Sequence, residues 1–217
     1  MKIKAEVPEA YAIGWAPFIH TKIWLDSKPL IPRPETEYWV NEVICKLQAA
    51  SSEPIKVLDL CAGSGAIGVA VAQEIPHATV DFVEIDKAHH ETIRKNIKEN
   101  GIEESRTRVF GGDLFEEVQD SSDVILSNPP YIDMSLGRVE DSVLDHEPHL
   151  ALDGGTHGTT IIARILAAAP SHLKPRGALW LEHEPEQVEW LSIQAGYTAS
   201  YPDQYGVLRY SIFAAFP

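Results

Sequence analysis

Residues 57–65 read VLDLCAGSG, and the kind of fold to expect follows from them. Branched aliphatic side chains at residues 57–60 are typical of a buried strand, and the Gly-Ser-Gly turn leads into an apolar helix pattern at residues 66–74. Glycines let the backbone approach a ligand, and the first turn of a helix offers free N–H groups. The run therefore predicts a nucleotide- or nucleoside-type binding turn, although such turns also occur for packing alone.

Strands and helices alternate on the C-terminal side of this turn. Strands are expected at residues 79–85, 108–110, 123–126 and 177–182, and helices at residues 88–100, 159–172 and 186–194. The last segments, residues 197–201 and 208–216, are predicted to pair as a hairpin. This alternation predicts an α/β fold with a mostly parallel sheet, helices on both faces and an antiparallel edge.

The N-terminal segments have a different pattern. Aromatic, small and polar side chains alternate over residues 10–25 and indicate a short hairpin, and residues 35–47 carry an apolar stripe at helical spacing. Since no linker or repeat interrupts the sequence, residues 1–217 are predicted to form a single domain. Within it, residues 1–50 form an N-terminal hairpin and helix extension packed on the sheet.

The composition of the chain bears on its cellular compartment and on the kind of substrate it binds. The 217 residues carry a formal net charge of −14 and two cysteines, Cys45 and Cys61. Two cysteines offer no disulfide framework, and the sequence shows no signal-peptide core and no apolar run of the ~18–20 residues that span a bilayer, which favours a cytoplasmic protein. An acidic surface repels a phosphate backbone, so a protein or small-molecule substrate is favoured over nucleic acid.

The run at residues 123–131, DVILSNPPY, predicts a buried strand that ends abruptly. Neither Pro129 nor Pro130 can donate a backbone hydrogen bond, and the first of them keeps Asn128 out of the helical region. The result is a stiff corner that presents an amide, carbonyl groups and the ring of Tyr131. A planar nitrogen could be held there, at the carboxyl end of a strand, where ligands bind in open α/β sheets.

Two acids follow neighbouring strands. Glu84 ends the strand after the glycine turn, where an acid can accept hydrogen bonds from both ribose hydroxyls. Asp113 follows the third strand and could accept from an exocyclic amine, with Leu114 beside it against a flat base. No phosphate-binding lysine follows the glycine turn. Together these features favour a nucleoside ligand without phosphates, and S-adenosylmethionine is the common one.

From about Gly14 onward the sequence resembles the release-factor glutamine methyltransferases, the HemK-type family. The Asn-Pro-Pro-Tyr corner alone is shared with adenine-N6 and ribosomal-protein glutamine methyltransferases. Two further strings, LIPRPETE at residues 30–37 and EPHLALDGG at residues 147–155, narrow the resemblance to the release-factor branch. The resemblance implies a class I S-adenosylmethionine-dependent methyltransferase fold with seven strands, and a release factor as the protein substrate.

The resemblance also implies roles for individual residues. Asn128, Pro129 and Tyr131 are the implied catalytic residues, gripping and covering the primary amide of a glutamine. The implied cofactor site consists of Phe18, Thr36, Asp59, Cys61, Ala62, Gly63, Gly65, Glu84, Ile85, Asp113, Leu114 and Asn128. The implied substrate site consists of Arg33, Pro34, Asn128, Pro129, Pro130, Tyr131 and Glu147.

The sequence departs from the family pattern in two places. Typical members carry an N-terminal helical domain of some tens of residues, whereas this chain begins almost at the catalytic domain. Glu184 stands where the family usually has glycine. Both departures concern substrate recognition more than cofactor binding.

The chemistry expected of the corner is alignment. An amide nitrogen is a weak nucleophile, and Asn128 cannot act as a base at neutral pH. Catalysis is therefore expected to come mainly from holding the amide nitrogen in line with the methyl group.

Two other functions stay open: adenine-N6 methylation of a flipped base, and a non-catalytic subunit that binds the cofactor. His146 and His149 lie in a predicted polar loop, and their spacing is too loose a signal to predict a metal site.

Overall fold

The structure is a computed structural model, and it describes residues 6–50 and 53–216. Residues 1–5 of the predicted N-terminal extension and the last residue of the predicted domain lie outside this part. The helices are α1 (Glu9–Ile13), α2 (Pro34–Ala50), α3 (Ala66–Glu74), α4 (His90–Glu99), α5 (Asp141–His146), α6 (Thr160–His172) and α7 (Val188–Ser192). The strands are β1 (Trp15–Phe18), β2 (Thr21–Trp24), β3 (Ile55–Leu60), β4 (Ala78–Glu84), β5 (Thr107–Gly111), β6 (Ser122–Ser127), β7 (Leu173–Glu182), β8 (Tyr197–Pro202) and β9 (Leu208–Ala214).

Seven strands form one sheet in the order β5-β4-β3-β6-β7-β9-β8. Strands β3 to β7 pair in parallel, and β9 runs antiparallel to both of its neighbours. The predicted α/β fold with a C-terminal antiparallel hairpin is therefore confirmed. The strand order reverses between β3 and β6, and a crevice forms at the carboxyl ends of strands on either side of such a point.

Hydrophobic cores lie on both faces of this sheet. Consecutive residues of a strand point to opposite faces, and Val57 and Leu58 accordingly belong to different clusters of buried side chains. The first cluster contains Trp39 of α2, with further side chains from α3, α4, β1 and β2. The second contains Ile165 of α6 and Leu191 of α7. This packing holds the strand ends, and the loops that follow them, in fixed positions.

Helix α3 packs unusually close to β4, and a glycine makes this possible. A Cβ atom added to Gly68 would lie 2.3 Å from Cε1 of Phe82. The backbone N–H of Gly68 donates to Oδ2 of the fully buried Asp59 at 2.8 Å. These contacts fix the start of α3 against the sheet and thereby position the loop at residues 61–65.

Some predicted boundaries differ from the observed ones. Strand β7 begins at Leu173 rather than Gly177, because Leu173 already pairs with Ser122 of β6; after a register shift the pairing resumes at Ala178. Helix α5 lies in the predicted polar loop, and a 3-10 turn at Pro185–Gln187 precedes α7. Over residues 6–50 and 53–216, no helix combines the length and the apolar character that crossing a membrane requires.

Candidate active site

The glycine loop between β3 and α3 is built from left-handed backbone conformations. Gly63 and Gly65 have φ angles of 55° and 78°, and Cys61 adopts φ 63° although it has a side chain. Glu84, at the end of β4, accepts from the N–H of Gly63 at 2.7 Å through Oε2 and from the N–H of Asp86 at 2.8 Å through Oε1. The carboxylate thus ties the loop to the end of the next strand.

A first cavity, here called the loop cavity, opens above this loop. Its walls come from the carboxyl ends of β3, β4 and β6, with side chains from β1 and α2 closing one side. All predicted cofactor residues except Asp59 and Gly65 line it: Phe18, Thr36, Cys61, Ala62, Gly63, Glu84, Ile85, Asp113, Leu114 and Asn128. The structure therefore brings together residues that lie more than 100 positions apart in the sequence.

The two exceptions lie behind the loop. Gly65 faces Ile93, to which an added Cβ would come within 3.1 Å. Asp59 is fully buried, and within the described residues its Oδ1 has no hydrogen-bond partner. Burial raises the pKa of Asp59 to about 8, with a smaller contribution from the charge of Glu84. Both residues support the loop from the side away from the cavity.

Asp113, which follows β5, also lines the loop cavity. Its Oδ2 accepts from Nη2 of Arg164 on α6 at 2.8 Å, and its backbone N–H donates to Glu116. Leu114, next to it, is buried at φ 56°. The acid and the apolar side chain are thereby fixed at the end of β5.

A second cavity, here called the peptide groove, lies on the other side of the corner. Asn128 and Leu30 line both cavities, whereas Pro129, Tyr131 and Arg33 line only the groove and Pro130 only the loop cavity. The remaining groove residues are Ile132, Asp133, Leu136, Arg138, Val139, Val143, Ala151, Leu152, His157, Thr159, Glu184, Glu186, Gln187 and Trp190, of which Ala151 also reaches the loop cavity. Asn128 therefore stands where the two cavities meet.

Polar side chains converge on a buried carboxylate beneath the corner. Glu182, at the end of β7, accepts from the hydroxyl of Tyr131 at 2.9 Å through Oε1. Its Oε2 accepts from the hydroxyl of Thr36 and the indole N–H of Trp39, both at 2.7 Å. Thr36 Oγ1 in turn accepts from Nδ2 of Asn128 at 3.1 Å. Burial raises the pKa of Glu182, while these donors act to lower it.

Sequence reasoning missed Glu182. Its one signal in the sequence is an acid at the end of the apolar run at residues 177–182, which pairs with the strand that Asn128 follows. Nothing in the local pattern links it to Thr36 and Trp39, which lie more than 140 positions earlier.

The other predicted substrate residues take different positions. Arg33 faces the peptide groove, and its Nη2 donates to Oε1 of the buried Glu147. The Oε2 of Glu147 accepts from the N–H of Ile31. Pro34 begins α2 and lines neither cavity. Glu147 thus holds the segment at residues 31–33 from behind.

Of the sequence positions Glu184 and His146, only Glu184 lines the groove. Glu184 lies on the wall of the groove, where its Oε2 is 3.5 Å from Nη1 of Arg209, and burial raises the pKa of Glu184. His146 ends α5 with Nδ1 at 2.9 Å from the carbonyl oxygen of Ser142. Within residues 6–50 and 53–216, no three His, Cys, Asp or Glu side chains are grouped as a metal site would need.

The seven-stranded sheet with its glycine loop and Asn-Pro-Pro-Tyr corner defines a class I methyltransferase. A solved methyltransferase from Pyrococcus furiosus has the same fold, with a TM-score of 0.60 and 23% identity over 88% of this chain and 86% of that one. The family model "Methyltransferase small domain" matches residues 43–147.

Sequence comparison identifies the family. A release factor glutamine methyltransferase of Lactococcus lactis is 32% identical over 95% of this chain and 74% of its own length. A ribosomal protein uL3 glutamine methyltransferase of Bradyrhizobium diazoefficiens is also 32% identical, over 83% of this chain and 59% of its own length. The chain belongs to the release factor glutamine methyltransferase family, as predicted, and spans about 60 to 75% of these two relatives.

Proposed function

We propose that this protein transfers a methyl group from S-adenosylmethionine to the side-chain amide nitrogen of a glutamine in a peptide chain release factor. The observation that supports it most directly is the position of Asn128, which lines both cavities. A group bound in the loop cavity and a side chain bound in the peptide groove would meet at this residue. Glutamine methyltransferases acting on release factors are also prominent among its relatives.

The loop cavity has the chemistry to hold the cofactor. Glu84 uses one lone pair of each oxygen on a backbone N–H, and a carboxylate oxygen has a second lone pair for a ribose hydroxyl. Asp113 has a second oxygen for the adenine amine, with Ile85 and Leu114 beside the flat base. A Cβ atom added to Gly63 would meet nothing within 4 Å, so the loop leaves room for the methionine part.

The corner supplies geometry for the reaction. S-adenosylmethionine supplies an electrophilic methyl group on a sulfonium. The Asn128 side chain and the Pro129 carbonyl accept the two amide hydrogens of the glutamine, which directs the nitrogen lone pair toward the loop cavity. Alignment of this kind contributes up to ~7–11 kcal/mol to catalysis. Tyr131, whose hydroxyl is held by Glu182, covers the amide from the groove side.

The domain organisation, the class of partner and the cellular compartment follow from the same features. The chain acts as a single domain, and the described part of its N-terminal extension, residues 6–50, closes the loop cavity through Phe18 and Thr36. The net charge of −14 favours a protein over a nucleic acid as the partner. The cysteines are free, which suits the cytoplasm, where release factors act, and no membrane partner is proposed.

The test offers methyl-labelled S-adenosylmethionine with a release factor, ribosomal protein uL3 and duplex DNA in parallel. We expect label on a glutamine of the release factor, and none with the Asn128→Ala variant. Label only in uL3 would show that the substrate is a ribosomal protein and not a release factor. Label only in DNA would establish adenine methylation. Label in none of them would leave a non-catalytic cofactor-binding subunit.

A further inference from the structure

The hydroxyl of Thr36 lies between two polar groups and has one proton to give. Its Oγ1 is 2.7 Å from Oε2 of Glu182 and 3.1 Å from Nδ2 of Asn128. Thr36 is 3% exposed, so water does not compete for either position. The direction of one hydrogen bond therefore sets the direction of the other.

The carboxyl group of Glu182 determines the direction in which the Thr36 hydroxyl donates its proton. Oε2 of Glu182 also receives the indole N–H of Trp39, a group that can only donate. Oε1 receives the hydroxyl of Tyr131, so three donors converge on a carboxyl group that is 1% exposed. A carboxylate accepts from all three, and the proton of Thr36 consequently points toward Glu182.

The orientation of the Asn128 amide follows. Because the Thr36 proton is used on Glu182, Oγ1 can only accept from Asn128, and a flipped amide would place two acceptor oxygens against each other. We propose that Glu182 and Thr36 are positioning residues that hold the Asn128 amide with Nδ2 toward Thr36 and Oδ1 toward the substrate. Neither residue touches the glutamine in this scheme. Thr36 acts through Asn128, and Glu182 acts through Thr36 and Asn128 and also holds the hydroxyl of Tyr131.

This orientation matters for the chemistry at the corner, and its role there rests on the proposed function. A primary amide presents N–H groups, so the corner must present acceptors. The Pro129 carbonyl is an acceptor by nature, but the Asn128 side chain becomes one only when Oδ1 faces outward. A flipped Asn128 would oppose N–H to N–H and misplace the nucleophile.

Variants at Thr36 separate this role from packing. Thr36→Val keeps the shape and removes the hydroxyl, whereas Thr36→Ser keeps the hydroxyl and removes a methyl group. We expect kcat for a release factor to fall about tenfold or more in Thr36→Val and to stay within about threefold of wild type in Thr36→Ser. The dissociation constant for S-adenosylmethionine should change less than kcat does. Equal losses in both variants, or a kcat within twofold of wild type in Thr36→Val, would overturn the proposal.

Glu182→Gln provides a third variant. The indole N–H of Trp39 requires an acceptor at the Oε2 position, so the amide oxygen of the substituted side chain should occupy it and continue to accept from Thr36. We expect this variant to retain kcat within about fivefold, while Glu182→Leu, which also removes the acceptor of the Tyr131 hydroxyl, loses at least as much as Thr36→Val. A folded Glu182→Leu protein with wild-type kcat would contradict the role of the carboxylate.

A spectroscopic measurement tests the orientation without activity. In ¹⁵N-labelled protein, the Asn128 side-chain signals are assigned by their loss in Asn128→Ala. We expect a nuclear Overhauser effect between the Nδ2 protons and the Thr36 side chain; its absence from wild type would refute the orientation. If the effect is present but the wild-type protein does not methylate a release factor, the orientation stands and the proposed function fails.

Discussion

Arg33 Nη2 lies 2.6 Å from Oε1 of Glu147, whose side chain is only 1% exposed. The same carboxylate accepts from the N–H of Ile31 at 3.1 Å. It therefore joins the extended segment before α2 to the loop after α5, on either side of the peptide groove.

Removing this carboxylate should affect both stability and substrate binding. Because Arg33 is partly exposed and can turn to water, we expect Glu147→Ala to lower the free energy of unfolding by about 1–3 kcal/mol. The loosened segment should also raise KM for the protein substrate more than the dissociation constant for the cofactor. Urea unfolding and steady-state kinetics check these two effects.

Arg138 provides the matched control. Its ion pair with Glu186 lies on the same groove, but the side chains of both residues are exposed to solvent. Arg138→Ala should change the free energy of unfolding by no more than about 0.5 kcal/mol. Equal losses in the two variants would show that the buried position of Glu147 has no importance.

Asn128 should tolerate neither Ala nor Asp. Ala removes the acceptor for the substrate amide, while Asp keeps an acceptor there but places a second one against Thr36 Oγ1, whose proton is used on Glu182. We expect at least a ~100-fold loss of transfer in both variants, with cofactor affinity nearly unchanged. Activity of Asn128→Asp near the wild-type level would show that Thr36 is free to turn its proton toward residue 128.

Glu84 should control the affinity for the cofactor. The Glu84→Ala variant loses the proposed ribose acceptor and the bond to the Gly63 N–H, so we expect calorimetry to give about 10- to 100-fold weaker binding. Glu91→Ala, which removes an exposed acid on α4, is the control and should bind as wild type does. Unchanged affinity in Glu84→Ala would remove Glu84 from the cofactor site.

Asp59 should make stability depend on pH. Its pKa rises from 3.8 to about 8 on folding, so between these values the native state binds the proton more tightly than the unfolded chain. The contribution of Asp59 to the free energy of unfolding therefore falls as the pH rises from 3.8 to about 8, by up to about 1.4 kcal/mol per pH unit. In Asp59→Asn, the slope of the free energy of unfolding between pH 5 and 8 should become less negative.

The control for this titration is Asp120→Asn, because ion pairs with Arg108 and Lys56 hold the pKa of Asp120 near 2. That variant should change the stability by a constant amount and leave the slope unaltered. A wild-type slope in Asp59→Asn would mean that Asp59 is ionised throughout the range.

The two cysteines should differ in reactivity. Cys45 is exposed on α2, whereas burial and the charge of Glu84 raise the pKa of the Cys61 thiol. Since the thiolate is the reactive form, iodoacetamide at pH 8 should modify Cys45 at least about tenfold faster. Mass spectrometry of the digested protein measures both rates, and faster modification of Cys61 would contradict its assigned environment.

The sequence predicts those parts of the fold that local chemistry controls. Helix α3 has the predicted bounds, Ala66–Glu74, because an apolar run follows a glycine turn. The corner after β6 is equally clear, since two prolines cannot continue a strand. The start of β7 differs from the prediction because Leu173 pairs with Ser122 of β6 ahead of Pro175 and Gly177, which lie where the register shifts.

The site is predictable only in part, for a related reason. Residues at strand ends, such as Glu84 and Asn128, can be placed together because parallel strands end at one edge of the sheet. Glu182 could not be assigned a role, because its partners come from α2 and the corner. Contacts between distant segments depend on packing, which the local pattern does not contain.

The raised pKa of Cys61 bears on the working lifetime of the proposed enzyme. Any cation that carries a transferable methyl group is an alkylating agent, and Cys61 lines the cavity proposed to hold one. A thiolate there would compete with the glutamine and inactivate the protein by self-modification. Kept as a neutral thiol, the sulfur can remain beside the methyl donor over many turnovers.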